Sequence, residues 1–141
     1  MSMVRDEDEA CAVTYDPEVP CVTMAWKGYL TSPRFREANE RVLAAIQERR
    51  ASKLLGDITH FKLIGADDQR WLNEHWIPRL IQTGCRYVAL VQPVFYFNQV
   101  AVQTVASRID PESLVIGHFD SVAAARRWLW EAHRHPAASP A

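Results

Sequence analysis

Asp57, Thr59 and His60 crowd into one short stretch, "KLLGDITHF". A carboxylate near an imidazole is the smallest apparatus for general acid–base catalysis, and both groups also bind metal ions. Two such side chains fall short of the ligand set a metal site requires, so no metal is expected. His118 has no defined partner in the sequence, and a structural role is expected for it. Cys85 would be nucleophilic only if nearby positive charge or a helix start lowered its pKa. Its neighbour Arg86 points to the opposite face of a strand, so burial is the expectation for Cys85. A phosphoacceptor role for Asp57 would need further carboxylates to hold magnesium. The strand ends "TYD" and "WKGY" supply no acidic pair. No dinucleotide fingerprint, nucleophile elbow, phosphate-cradling glycine loop or His-Glu-x-x-His occurs. No catalytic residue and no cofactor is therefore assigned. An enzyme built on Asp57 and His60 stays open as an alternative.

These residues need elements to position them. Residues 11–16, "CAVTYD", read as a strand, and "PEVP" as a turn. Residues 21–29 alternate with period two, with Val22, Met24 and Trp26 on one face, which completes a hairpin. Ser32-Pro33 opens a helix, the serine accepting from a free backbone N–H and the proline having none to lose. Phe35, Ala38, Val42, Ala45 and Ile46 then recur at helical spacing. Residues 53–58 and 86–91 are apolar runs suited to buried parallel strands. Between them a helix starts near Asp67, with Leu72, Trp76 and Leu80 on one face. Pro78 should kink or divide that helix, and Gly84 should stop it. Residues 95–107 read as a helix with Phe97, Ala101, Thr104 and Val105 inward. Residues 113–119 form the last strand. Asp120 is the expected cap of a closing helix, with Trp128, Leu129 and Ala132 on its core face. The order predicts one α/β domain over residues 11–133. It has a mixed, mainly parallel sheet of about five strands, an N-terminal antiparallel hairpin and about four covering helices. The acidic residues 1–10 and the tail 134–141 are expected to be disordered.

Hydrophobic residues make up 48% of the 141-residue chain, enough for a real core. The balance of 16 basic against 17 acidic residues offers no general attraction to nucleic acid or anionic membranes, and neither partner is expected. No apolar run reaches the length of a membrane span, and the acidic start is unlike a secretion signal. Three cysteines without a Cys-x-x-Cys pair fit a reducing compartment, so a cytoplasmic location is expected. Cys11 and Cys21 lie on the two strands of one hairpin, but a bridge demands strict geometry and free thiols are expected.

In "PVFYFNQV" three aromatics, Phe95, Tyr96 and Phe97, are consecutive, so a helix cannot turn all of them to one core. At least one should reach the surface or line a pocket. Ligands of open α/β sheets gather outside the carboxyl ends of the strands. That rim gathers Asp57, Thr59, His60, Gln92 and His118, with the helix starts near Asp67, Phe95 and Asp120.

"WKGYL" (26–30), "KLLGDIT" (53–59), "WLNEHWIPRL" (71–80) and "HFDSVAAARRWL" (118–129) together make the chain resemble the SpoIIAA-like branch of the STAS domains, sometimes grouped with the CRAL-TRIO-type lipid-binding fold. The resemblance implies a non-catalytic regulatory or protein-interaction module of signal transduction. STAS anti-sigma-factor antagonists carry a phosphorylatable serine at the start of the second helix. The matching stretch here, Gly65, Ala66, Asp67 and Asp68, has no hydroxyl, so that switch is not carried over. An aspartate there would supply a permanent negative charge instead. The expected binding surface is the rim from Asp57 to Asp68 with Phe95–Phe97, for a protein partner or self-association. The alternative implied by the CRAL-TRIO-type grouping is an apolar small molecule or lipid. It would occupy a pocket of a few hundred cubic ångströms at the strand carboxyl ends.

Overall fold

The computed structural model describes residues 10–62 and 64–132. The segments expected to be disordered lie outside the described residues, apart from Ala10. β1 (Cys11–Asp16) pairs antiparallel with β2 (Cys21–Gly28). The register opposes Asp16 to Cys21 and Cys11 to Trp26, so the two cysteines sit at opposite ends of the hairpin. They also serve opposite faces of the sheet, and all three cysteines are free and buried.

After the hairpin come α1 (Ser32–Arg49), β3 (Lys53–Phe61), α2 (Ala66–Trp71), a π turn (Leu72–Trp76) and α3 (Ile77–Gln82). β4 (Tyr87–Val91), α4 (Tyr96–Ala106), β5 (Val115–Phe119) and α5 (Val122–Ala132) complete the order. The strands lie in chain order, β1-β2-β3-β4-β5, and β2 to β5 run parallel. Each parallel step is made through a helical connection. Right-handed crossovers that always step the same way bring their helices to one face of the sheet. α5 follows β5 and folds back on the other face. This is the mixed α/β sheet that the alternation of runs and helices predicts.

The alternating strands build two cores. Val22, Met24, Trp26, Leu54, Ile58 and Val88 meet Phe35, Val42, Ile46, Trp76 and Leu80 on one side. Cys21, Leu55, Ala89 and Val91 meet Ala125 and Leu129 of α5 on the other, with Tyr87, Phe119 and Trp128 packed around them.

Local chemistry explains the helix boundaries. α2, the π turn and α3 form one continuous helical run, and Pro78 accounts for its interruption. Proline lacks an N–H and clashes with the preceding turn, and the wider π turn directly before it absorbs both defects. Ser32 does not cap α1: the cap position is Thr31, and the Ser32 hydroxyl donates to Asp68 Oδ2 at 2.8 Å. Asp120 does not cap α5 either. Ser121 Oγ accepts from the Ala124 N–H at 3.1 Å, which satisfies one of the free donors of the first turn.

Candidate ligand pocket

The last three residues of β3 break the strand's alternation. Ala25 opposes Asp57 but Lys27 opposes His60, so β3 advances three residues while β2 advances two. The extra residue is a bulge. It lets Ile58 and Phe61, three apart, enter the same core, and it leaves His60 exposed. Asp57 is tied up inside this bulge. Its Oδ1 accepts from the Thr59 hydroxyl at 2.6 Å and from the Thr59 N–H at 3.2 Å. The carboxylate thus bonds its strand neighbour, which fixes the bulge.

The other rim residues are dispersed in role. Asp68 is buried and accepts from Ser32 and from Arg36 Nε at 3.1 Å, and the Arg36 guanidinium lies 5.5 Å from the Trp71 ring centroid. It clasps the start of α2 to the start of α1. Asp67 is exposed and pairs with Arg70. His118 is exposed on β5, yet desolvation of its ring holds its pKa below the ordinary imidazole value. Burial pushes the Cys85 thiol up to about 12 and the Cys21 thiol up to about 11, so neither forms a thiolate near neutral pH. Gln92 holds a buried Oε1 with no bonding partner among the described residues. Among those residues no three His, Cys, Asp or Glu side chains gather where they could hold a metal ion, and no helix is long and apolar enough to cross a membrane.

Phe95, Tyr96 and Phe97 are 41%, 69% and 72% exposed, with Val94 and Val100 exposed beside them. The expectation that Phe97 and Thr104 point inward is therefore wrong. The inward stripe of α4 is Asn98, Ala101 and Val105. Asn98 Nδ2 donates to the Phe61 carbonyl at the end of β3, and this bond turns a polar residue to the core and rotates Phe97 outward. Lys62 lies over the Phe95 ring, 5.9 Å from its centroid.

An apolar pocket of about 120 Å³ lies between the sheet and the layer formed by α1, the π turn, α3 and α4. Trp26, Phe35 and Phe61 wall it near the strand carboxyl ends, with ring centroids 5.1 to 5.9 Å apart. Leu54, Val88 and Leu114 line it deeper in. It is smaller than expected and reaches further under the helices. None of the rim residues Asp57, Thr59, His60, Asp67, Asp68, Phe95, Tyr96, Phe97 and His118 lines it. Among the described residues, its lining is apolar and aromatic apart from Asn39 and Asn98, neither of which stood out in the sequence. A signal for Asn39 was present: it falls four residues after Phe35 on the apolar stripe of α1. Set against known proteins, the sequence matches no family model and no curated protein.

Proposed function

We propose that the protein binds a small apolar molecule in the pocket between the sheet and α1, the π turn, α3 and α4, without acting on it chemically. One observation carries this reading: among the described residues the pocket is lined by apolar and aromatic side chains and two asparagines, with no ionisable group. Proteins pack to the density of organic crystals, and an apolar void of ~150 Å³ stays dry and takes up benzene. A space of about 120 Å³ suits a ligand of similar or slightly smaller size. Methyl NMR tests it. Benzene titrated into the full chain should shift the Met24, Leu54 and Leu80 methyls saturably and leave Leu129 unmoved. Unmoved methyls at every concentration would end the reading.

The exposed run from Val94 to Phe97, with Val100, favours a second reading, a STAS-like interaction module that lacks the phosphorylatable serine. A contiguous apolar surface at one helix start fits a protein partner or a second copy. Sedimentation velocity should then show self-association that Phe97→Asp abolishes. A protein that stays monomeric and captures no specific partner would remove this reading.

A further inference from the structure

β5 ends the sheet on one side and pairs only with β4 among the described residues. No residue of β5 is buried, whereas β4 buries Val88, Ala89 and Val91. The Val115 N–H donates to the Arg86 carbonyl and the Phe119 carbonyl accepts from the Gln92 N–H, each at 2.9 Å. Backbone groups alternate sides along a strand, so those of Val115, Gly117 and Phe119 face β4 and those of Ile116 and His118 face away from the sheet. Among the described residues no hydrogen bond reaches the outward groups. Native sheets commonly blunt such an edge with proline, lysine or a bulge. The stretch "VIGHF" has neither residue, and its pairing with β4 runs without a register shift.

The groups left over complement a copy of themselves. When β5 is laid antiparallel on a second β5 about a two-fold axis at Gly117, Ile116 meets the partner's His118. Each such pair exchanges two N–H···O bonds, so every outward N–H and carbonyl of Ile116 and His118 is satisfied. Gly117 then lies opposite its own copy, in the closer kind of antiparallel pair, where the absence of a side chain helps most. The same axis sets the two copies of α5 antiparallel on one face of the sheet. The groove between α5 and Phe119 is lined by Arg127 and Glu131, about one helical turn apart. Neither has an ion partner among the described residues. The antiparallel arrangement brings each Arg127 toward the partner's Glu131.

We infer that β5 is a self-association edge: a second copy of this chain adds its own β5 antiparallel and joins two five-stranded sheets into one. The inference rests on neither the pocket nor the Phe95–Phe97 surface.

Sedimentation velocity over a concentration series, with amide hydrogen exchange at each concentration, tests it on the full chain. The chain should dimerise, and the Ile116 and His118 amides should exchange more slowly as the dimer fills. His118→Pro removes an outward N–H and no bond to β4, a change that edge strands accept. It should weaken dimerisation at least about tenfold, while His118→Ala, which keeps the N–H, should leave it intact. Arg127→Glu should weaken the dimer, and Arg127→Glu combined with Glu131→Arg should restore it. The exchange measurement on the unsubstituted protein needs no variant to fold. Phe97→Asp should leave this dimer whole, which separates the edge from the aromatic surface of the second reading. A chain that is monomeric at every concentration overturns the inference. So does a dimer whose Ile116 and His118 amides exchange at the monomer's rate, or one that Phe97→Asp abolishes and His118→Pro leaves intact.

Discussion

On one face of the sheet lie α1, the run from α2 to α3, and α4; on the other lies α5 alone. The face with more cover is the one that holds the void. Three separate helical bodies must each find a seat on a twisted sheet, and their side chains meet imperfectly where Met24, Leu90 and Val102 converge. The single helix settles wherever its own stripe fits best. Trp128 there packs against Phe119 and Tyr87, at 5.4 and 6.1 Å between centroids. Gly117 gives those rings room: a Cβ at that position would stand 2.7 Å from Phe119 Cε2. Arg126 then ties α5 to the hairpin, with Nε donating to Asp16 at 2.8 Å and an Nη donating to Glu18 at 3.0 Å. The lesson is that the amount of cover and the tightness of packing are separate properties.

The largest expected effect breaks the α5 face. Leu129 is fully buried, and Leu129→Ala should cost about 2–5 kcal/mol in urea denaturation, the range for a core leucine whose surroundings cannot collapse. A loss below about 1 kcal/mol would show that α5 does not hold its face as described. The next effect sharpens the contrast within one strand. Val88 and Ala89 are neighbours on β4 and belong to opposite cores. Ala89→Val should cost about 1–3 kcal/mol through overpacking. Val88→Ile, whose added methylene enters the pocket, should change stability by less than about 1 kcal/mol and should weaken benzene binding. Equal costs would mean the two faces are packed alike. The smallest effect is electrostatic. The Arg126 guanidinium bonded to Asp16 holds that carboxyl below its ordinary value, and Arg79 does the same to Glu40 on the other face. A lowered carboxylate pKa stabilises the fold fully above the unfolded value of about 4 and is lost as pH falls through the folded one. Denaturation midpoints measured from pH 5 downward should therefore fall less steeply in Asp16→Asn and in Glu40→Gln than in the unsubstituted protein. Identical slopes would deny both pairs any part in acid sensitivity.

Much of the fold was readable in the sequence because burial leaves periodic traces. Val22, Met24 and Trp26 announced their face, and Pro78 announced a broken helix. Two of the errors share a source: polar side chains that spend their hydrogen bonds at long range. Asn98 faces inward because of Phe61, which lies 37 positions away, and Ser32 leaves its capping role for Asp68, 36 positions away. Nothing local distinguishes these residues from surface ones. The bulge in β3 was hidden for a related reason, since "GDITHF" still alternates plausibly if the strand stops at Ile58. The site suffered most. Strand ends and titratable residues directed attention to the rim, while the pocket is made of residues that read as ordinary core.

Strand order that equals chain order has a consequence for biosynthesis. As the polypeptide leaves the ribosome, each new parallel strand can dock beside its predecessor without threading past anything already placed. The helices of one side arrive along with the strands. The opposite side waits bare until Val122–Ala132 emerges, after every strand has been laid down. A chain halted before that point would present a sheet covered on one face only.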